Sequence, residues 1–359
     1  MRRVSRRVEI RGLGLGGGEP LRVQGMTKTD TRHPQATLDQ IRALEVVGAE
    51  IVRLAIPDLE SAHALAELRP HTASPLVADI HFDHTLALAA LEAGADKIRI
   101  NPGNIPDRRR LQEVAEAAKQ RGVPIRIGVN SGSVPMRLVR EHHGANAQAL
   151  VAAAQETAAL FESWGFSDIV ISLKSSSVLE TIEANQLLAQ TVPYPIHLGV
   201  TAAGPLLESA VRSSLALGPL LMQGIGDTIR VSITGDPCRE AEVAWEILRS
   251  LGLRQRGPMV VSCPTCARSH HPALEQLVER VKTRLRQADV LAPVTVAIMG
   301  CEVNGPGEAR EADIGLALGK TGAHLFRKGR VVRRVSLEQA EEALLTEIEQ
   351  SLAEDASAE

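Results

Sequence analysis

The sequence contains few aromatic residues. Only 2% of its 359 residues are aromatic (four Phe, two Trp and one Tyr), whereas 44% are hydrophobic. A sizeable core must therefore consist mostly of aliphatic side chains, and aromatic platforms that stack nucleic-acid bases are not expected. The formal net charge of −3 also argues against a general nucleic-acid-binding surface. We therefore expect no nucleic-acid partner.

Cysteine is scarce as well, and its placement is informative. The four cysteines are Cys238, Cys263, Cys266 and Cys301. Such clustering is unlike the disulfide framework of a small secreted protein and is more typical of metal or redox sites in cytosolic chains. No apolar run reaches the roughly 20 residues that span a bilayer, and no secretory signal is recognisable. We therefore expect a cytoplasmic protein that does not insert into a membrane.

Short β-branched segments alternate with longer helical patterns over the first two thirds of the chain. Eight strands are predicted, at Leu21–Met26, Ile51–Ile56, Leu76–Ile80, Lys97–Ile100, Ile125–Val129, Asp168–Lys174, Pro195–Val200 and Thr228–Thr234. Eight strand–helix units in series favour an α/β fold, a (β/α)8 TIM-type barrel over residues 1–252. A doubly wound open sheet is the alternative.

Two further segments complete the predicted organisation. Val8–Gly18 predicts a hairpin that turns at Gly16–Gly18 and closes the bottom of the barrel, and Gly252–Gly257 predicts a linker. Residues 258–359 then mix strands and helices, which predicts a small α+β domain. Its predicted elements are a short strand ending at Cys263, strands at Val294–Met299, Asp313–Leu318 and Val331–Val335, and helices at Pro272–Arg286 and Leu337–Leu352.

The strongest chemical signal is the cysteine pattern of this second domain. Cys263 and Cys266 form a CxxC turn, and Cys301 follows a predicted strand. A Gly-Pro-Gly turn at 305–307 would fold the chain back and bring Glu308 to the same centre. Three thiolates with a weaker fourth ligand suit an iron–sulfur cluster whose labile position can yield to substrate. A structural zinc site completed by His270 or His271 is equally supported by the spacing.

The predicted barrel mouth is rich in cations, because five strands carry Arg or Lys late in their sequence. These residues are Arg53, Arg99, Arg126, Lys174 and Arg230, with the neutral residues Asn101, Asn130 and Ser232 nearby. Cations that converge on the carboxyl ends of barrel strands would repel one another unless an anion is bound. Guanidinium groups suit phosphate oxygens, so a phosphate-type ligand is predicted. Asp79 and His81 could form an acid/base pair or hold substrate hydroxyls.

Two other functions fit these patterns. One is a zinc-containing barrel lyase or aldolase acting on a phosphosugar, with Lys174 as a Schiff-base lysine. The other is a non-catalytic protein that binds a phosphometabolite.

Seven segments resemble the 4-hydroxy-3-methylbut-2-enyl diphosphate synthase family. They are VADIHFD (77–83), IRINPGNI (98–105), IRIGVNSGS (125–133), HLGVT (197–201), GIGDTIRVS (224–232), SCPTCAR (262–268) and IMGCEVNGPGEA (298–309). The resemblance implies an oxidoreductase that opens the ring of 2-C-methyl-D-erythritol 2,4-cyclodiphosphate and removes a hydroxyl as water. It also implies electrons from flavodoxin or ferredoxin and a head-to-tail homodimer.

The resemblance assigns residues too. It places the ligands of a 4Fe-4S cluster at Cys263, Cys266, Cys301 and Glu308, and it places diphosphate binding at the cations and neutral residues named above. The chain departs from the family at Ala202, where the family usually has a Glu thought to assist proton transfer, and at Gly25, where it has Ser. The first departure leaves the proton donor open, with Asp79 or a water as substitutes.

Overall fold

The computed structural model describes residues 2–105, 107–267, 269, 271–288, 290, 292–301 and 305–357. The chain divides into two compact units, Met1–Arg254 and Gln255–Glu359. The division falls within the segment Gly252–Gly257. Within the described ranges, no helix combines the length and the apolar character needed to cross a bilayer.

The first unit begins with a hairpin of β1 (Val8–Ile10) and β2 (Leu13–Leu15). Its apolar side chains pack with Ile51, Val77 and Val170, which lie in the first halves of barrel strands, so the hairpin closes the bottom of the barrel as predicted. The predicted turn at Gly16–Gly18 is wrong. The chain reverses at Arg11 and Gly12, where both residues have positive φ, which lets the two short strands pair in register.

Eight parallel strands form the barrel that follows. They are β3 (Arg22–Met26), β4 (Ile51–Ala55), β5 (Leu76–Ile80), β6 (Lys97–Ile100), β7 (Ile125–Asn130), β8 (Ile169–Lys174), β9 (His197–Leu198) and β10 (Thr228–Ile229). Strands β3 to β8 pair in consecutive order, and β10 lies between β3 and β9. A parallel bridge between Ile171 and Ile196 closes the ring between β8 and β9. The predicted TIM-type barrel is confirmed, and the open sheet is excluded.

Helices surround the strands. They are α1 (Pro34–Val46), α2 (Leu59–Leu68), α3 (His84–Glu92), α4 (Arg108–Arg121), α5 (Met136–Glu141), α6 (Ala147–Ser163), α7 (Val178–Thr191), α8 (Leu206–Met222) and α9 (Pro237–Ser250). Many begin at a side chain that accepts a hydrogen bond from the first turn, as Asp58 does for α2, Asp107 for α4 and Asp236 for α9. Each of these three caps lies in a loop that joins a barrel strand to the next helix. The hydrogen bonds therefore help to fix these loops at the barrel mouth.

Strands β9 and β10 are shorter than predicted, because the chain leaves the ladder at its mouth end. The Arg230 N–H still donates to Leu198 O over 3.0 Å, but further on the Thr234 N–H donates to the loop carbonyl of Gly204. Likewise the Thr201 N–H donates to Ser175 O in another loop. The apolar residues after β10 therefore lie in a loop rather than in the sheet.

The second unit is a five-stranded mixed sheet with helices. Its strands are β11 (Pro258–Ser262), β12 (Val294–Met299), β13 (Ile314–Leu318), β14 (Ala323–Arg327) and β15 (Arg330–Val335), and its helices are α10 (Leu274–Gln287), α11 (Gly305–Glu311) and α12 (Ala340–Ser357). The sheet runs in sequence order, with β11, β12 and β13 parallel and the last two pairings antiparallel.

Two local predictions for this unit are wrong. The segment 305–307 is not a turn but the start of α11, since a proline in the first helical turn needs no N–H partner. Strand β14 was not predicted. Lys328 and Gly329 both have positive φ, the geometry of a tight hairpin turn, which joins β14 to β15.

Candidate active site

A cluster of charged side chains lies inside the barrel. Arg53, Asp79, Arg99, Arg126 and Lys174 are all buried. Asp79 pairs in register with Arg99, and Arg99 pairs in register with Arg126, so these three residues lie side by side on β5, β6 and β7. The structure therefore brings together cations that the sequence places on separate strands, although Arg126 is the second residue of β7 and does not lie late in its strand.

Asp79 is the carboxylate that organises this cluster. Arg99 Nη1 donates to Asp79 Oδ1 over 3.0 Å, and Arg53 Nε lies 3.9 Å from Oδ2. His81 Nε2 lies 3.4 Å from Asp79 Oδ2 and 2.8 Å from Arg99 Nη1. Burial alone would raise the pKa of Asp79, but Arg53, the His81 hydrogen bond and Arg99 together hold that pKa well below its usual range. Asp79 is therefore an ionised acceptor that orients its neighbours.

Arg126 and Lys174 have few acceptors within reach. Arg126 Nη1 donates to Gln24 Oε1 over 3.4 Å, and its Nε makes no hydrogen bond to the described part of the chain. Lys174 Nζ lies 3.3 Å from His197 Nε2. Burial first, then the charges of Arg126 and Arg53, lower the pKa of Lys174 well below its usual value. An anion bound here would supply the acceptors that the protein does not.

Arg230 pairs with a carboxylate that the sequence did not indicate. Its Nε donates to Glu240 Oε2 over 3.0 Å, and its Nη2 donates to Glu240 Oε1 over 2.9 Å. Glu240 lies in the first turn of α9 and is only 1% exposed. The helix dipole favours an acidic residue in a first helical turn. The position of Glu240 in the sequence therefore does not distinguish a partner of Arg230 from an ordinary helix-start residue.

The neutral candidates lie in two places. Asn101 Nδ2 donates to Ser133 Oγ over 2.8 Å, and the Asn130 N–H reaches the same hydroxyl over 3.2 Å, so both belong to one loop cluster. Ser232 is partly buried after β10, and its carbonyl accepts a hydrogen bond from Ser209 Oγ on α8.

Two glycines that the sequence did not single out make room for the cations. A Cβ at Gly199 would lie 2.6 Å from Lys174 Nζ, and a Cβ at Gly128 would lie 2.7 Å from Arg99 Nε. Both distances are shorter than any ordinary contact. Glycine at these positions therefore lets the Lys174 and Arg99 side chains lie against the neighbouring strands.

Gly199→Ala is expected to displace Lys174 and the backbone carbonyl of Arg230, both of which would lie 2.6 Å from the new Cβ, and so to weaken anion binding. Overpacking a close-packed site costs about 1–3 kcal/mol, which corresponds to an increase of about 5- to 150-fold in the Kd for inorganic pyrophosphate measured by titration calorimetry. Gly218→Ala on α8 is the matched control, because a Cβ there meets nothing within 4 Å. Equal affinity of the Gly199→Ala and wild-type proteins would contradict this role.

In the second unit, Cys263 and Cys301 lie at one edge of the sheet. Cys263 follows β11, Cys301 follows β12, and these strands are parallel neighbours paired in register through Ser262 and Ile298. The Gly300 N–H donates to Cys263 Sγ over 3.3 Å. A Cβ at Gly300 would lie 2.6 Å from Ser269 Oγ, so glycine is needed at this crowded edge.

The remaining candidate ligands are more open. Cys266 is exposed after Thr265, whose φ is 51°, and Glu308 is exposed in the first turn of α11. His271 is partly buried, whereas His270 lies outside the described residues. Across the described ranges, no three His, Cys, Asp or Glu side chains are already arranged as a metal site.

Comparison with known proteins identifies the family. Residues 5–245 match the GcpE TIM-barrel domain, and residues 259–350 match the GcpE protein C-terminal domain. The chain belongs to the GcpE family. The two matches follow the order of the two units and leave only short segments outside them.

Relatives of this GcpE-family chain match it over nearly its whole length. The Maridesulfovibrio salexigens protein named 4-hydroxy-3-methylbut-2-en-1-yl diphosphate synthase (flavodoxin) is 53% identical over 346 residues, 96% of this chain and 95% of that protein. A Caldanaerobacter subterraneus protein of the same name is 47% identical over 99% of both chains. Among solved structures, a type I 3-dehydroquinate dehydratase from Clostridium difficile matches with a TM-score of 0.52 at 13% identity. It covers 69% of this chain and 98% of its own, a likeness of fold alone.

Proposed function

We propose that this chain reduces 2-C-methyl-D-erythritol 2,4-cyclodiphosphate to 4-hydroxy-3-methylbut-2-enyl diphosphate and water. The names of full-length relatives at 47% and 53% identity support this reaction. The observation that carries the proposal is the excess of buried cations in the barrel. Among the described residues, Arg53 and Arg99 contact the carboxylate of Asp79, whereas Arg126 contacts Gln24 and Lys174 contacts His197. Four buried cations beside one carboxylate suit a polyanionic ligand.

The cations would hold the diphosphate of the substrate. Arg99 Nε and Arg126 Nε are buried without an acceptor in the described part of the chain, so phosphate oxygens would complete their hydrogen bonds. A bound anion would also raise the pKa of Lys174 and favour its charged form. The same positive charges would stabilise the diphosphate as its bond to carbon breaks.

Cys263, Cys266, Cys301 and Glu308 would hold the 4Fe-4S cluster. Thiolates are the ligands that iron–sulfur clusters prefer, and the shared sheet edge of Cys263 and Cys301, with the Gly300 N–H directed at sulfur, fits this role. When bound, the cluster supplies the two electrons that the reaction consumes. The exposed positions of Cys266 and Glu308 leave both side chains accessible to it.

The proposed partners follow from the family. Flavodoxin is the proposed electron donor, as in the names of the relatives, and ferredoxin is the alternative. A head-to-tail homodimer in the cytoplasm is proposed on the same basis.

Removal of the hydroxyl as water requires a proton. Ala202 stands where the family usually has Glu, and it cannot donate one. Asp79 is held as a carboxylate, so it orients its neighbours instead of acting as an acid. His81 is therefore the proposed donor, because its side chain is 42% exposed. Arg99 Nη1 can only donate to Nε2, so the transferable proton would be carried on Nδ1.

His81→Asn is expected to lower kcat by about 100- to 10,000-fold, the usual contribution of a general acid, while KM changes little. The matched control is His84→Asn, which alters the first residue of α3, a histidine that pairs with the exposed Glu113. Steady-state kinetics on both variants test the assignment. An unchanged kcat in the His81 variant would exclude His81 as the donor.

The proposed reaction is tested with anaerobically isolated protein reduced by flavodoxin. The cyclic diphosphate should be converted to the linear allylic diphosphate only when reductant is present, as followed by phosphorus NMR. Cleavage that needs no reductant would instead support the zinc lyase. Tight binding without conversion would support the non-catalytic binding protein, and Ala202→Glu would then be the rescue to measure.

A further inference from the structure

Glu240 is a buried carboxylate at the edge of the proposed substrate site. It accepts hydrogen bonds from Arg230 Nε and Nη2 at 2.8–3.0 Å and from the Ile233 N–H over 3.0 Å. Lys28 Nζ lies 3.2 Å from its Oε1. Both oxygens of Glu240 are therefore occupied by charged or backbone donors.

The same contacts tie together the loops at this side of the mouth. Lys28 comes from the loop after β3, and its Nζ also donates to the carbonyls of Ile233 and Gly235 in the loop after β10. Glu240 joins both loops to α9. Strands β3 and β10 are paired neighbours, so this network holds together the two loops that follow them at the barrel mouth.

The geometry leaves one edge of the Arg230 guanidinium for a ligand. Its Nε and Nη2 face Glu240, whereas Nη1 makes no hydrogen bond to any described residue. A guanidinium held in this side-on bidentate pair has a fixed orientation. Arg230 also interacts electrostatically with the cation cluster. Burial, Arg126 and Arg53 are the larger causes of the lowered pKa of Lys174, and the Arg230 charge lowers that pKa further.

We propose that Glu240 is a positioning residue that fixes Arg230 with its Nη1 edge directed to the diphosphate of the substrate. This inference rests on the proposed function. Glu240 does not touch the substrate, so it acts on binding through Arg230. Lys28 and the Ile233 N–H hold Glu240 itself in place.

The test uses Glu240→Gln in the holoenzyme. A glutamine presents an amide donor to one N–H of Arg230, which breaks the bidentate pair and releases the guanidinium. KM for the cyclic diphosphate should rise at least tenfold, while kcat changes less than threefold. Glu242→Gln on the same helix, which alters the ion pair with Arg239, should leave both constants unchanged.

A double-mutant cycle separates positioning from general destabilisation. If Glu240 acts through Arg230, then adding Glu240→Gln to Arg230→Met should raise KM no further. If the two effects on KM multiply, or if Glu240→Gln leaves KM at the wild-type value, the inference is overturned. Should Glu240→Gln fail to fold, Glu240→Asp replaces it, with the same split between KM and kcat required. Conversion by the wild-type enzyme is measured in parallel, so that failure of the proposed function is recognised separately.

Discussion

Replacing Cys301 by alanine is expected to abolish reduction of the cyclic diphosphate and to remove the broad visible absorption of the anaerobically isolated protein. Cys301 is buried directly beyond β12, at the sheet edge it shares with Cys263. Losing a residue that only supports a metal ligand typically lowers activity by about 10- to 100-fold. Loss of one of the three thiolate ligands should have a larger effect, so we expect activity to fall by more than about 100-fold.

The fourth cysteine provides the control. Cys238 lies in the barrel unit on α9, and burial together with Asp236 raises the pKa of its thiol to about 11. Cys238→Ala should therefore retain both colour and activity. Comparable losses in the two variants, or a coloured and active Cys301 variant, would contradict the assignment of the cluster ligands.

Replacing Arg126 by methionine is expected to abolish tight diphosphate binding without destabilising the empty protein. Arg126 is 1% exposed, and its Nε has no acceptor in the described ranges. Losing one member of a buried, hydrogen-bonded charge pair costs about 2–5 kcal/mol, which corresponds to an increase of about 30- to 5,000-fold in Kd. Calorimetric titration with pyrophosphate measures this loss.

The unliganded variant should be more stable than the wild-type protein. Methionine fills a similar volume, and removing a buried, poorly paired charge can raise the free energy of unfolding by about 1–4 kcal/mol. Denaturant unfolding measures the change. Arg137→Met, which removes a surface partner of Glu156, should alter neither property. A destabilised Arg126 variant that still binds pyrophosphate would show that Arg126 has a structural role instead.

The barrel could be predicted because its first six strands are compact apolar segments separated by helical patterns. The mouth cations could be predicted for a related reason, since Arg53, Arg99 and Lys174 stand late in their strands. Parallel strands place such residues at one end of the barrel. Lys97 was not predicted, because it is the first residue of β6 and not a late one. It lies two residues before Arg99 and is fully buried. Its Nζ makes no hydrogen bond to the described residues.

Other features depend on tertiary contacts that no local pattern encodes. Glu240 looks like an ordinary acidic residue at a helix start, and only the fold brings it to Arg230. Gly199 is required because Lys174 Nζ and the Arg230 carbonyl oxygen both occupy the space of its Cβ. In the second unit, the Gly-Pro-Gly sequence suits both a turn and a first helical turn, and the context of α11 decides between them.

We propose that the cysteines of the second unit hold an iron–sulfur cluster that supplies the electrons for the reaction. Metal and sulfide analysis of protein isolated without oxygen tests this most directly. Iron and acid-labile sulfide should be present in equal amounts, about four of each per chain, with little zinc. Stoichiometric zinc without sulfide, in a protein that is active without reductant, would contradict it.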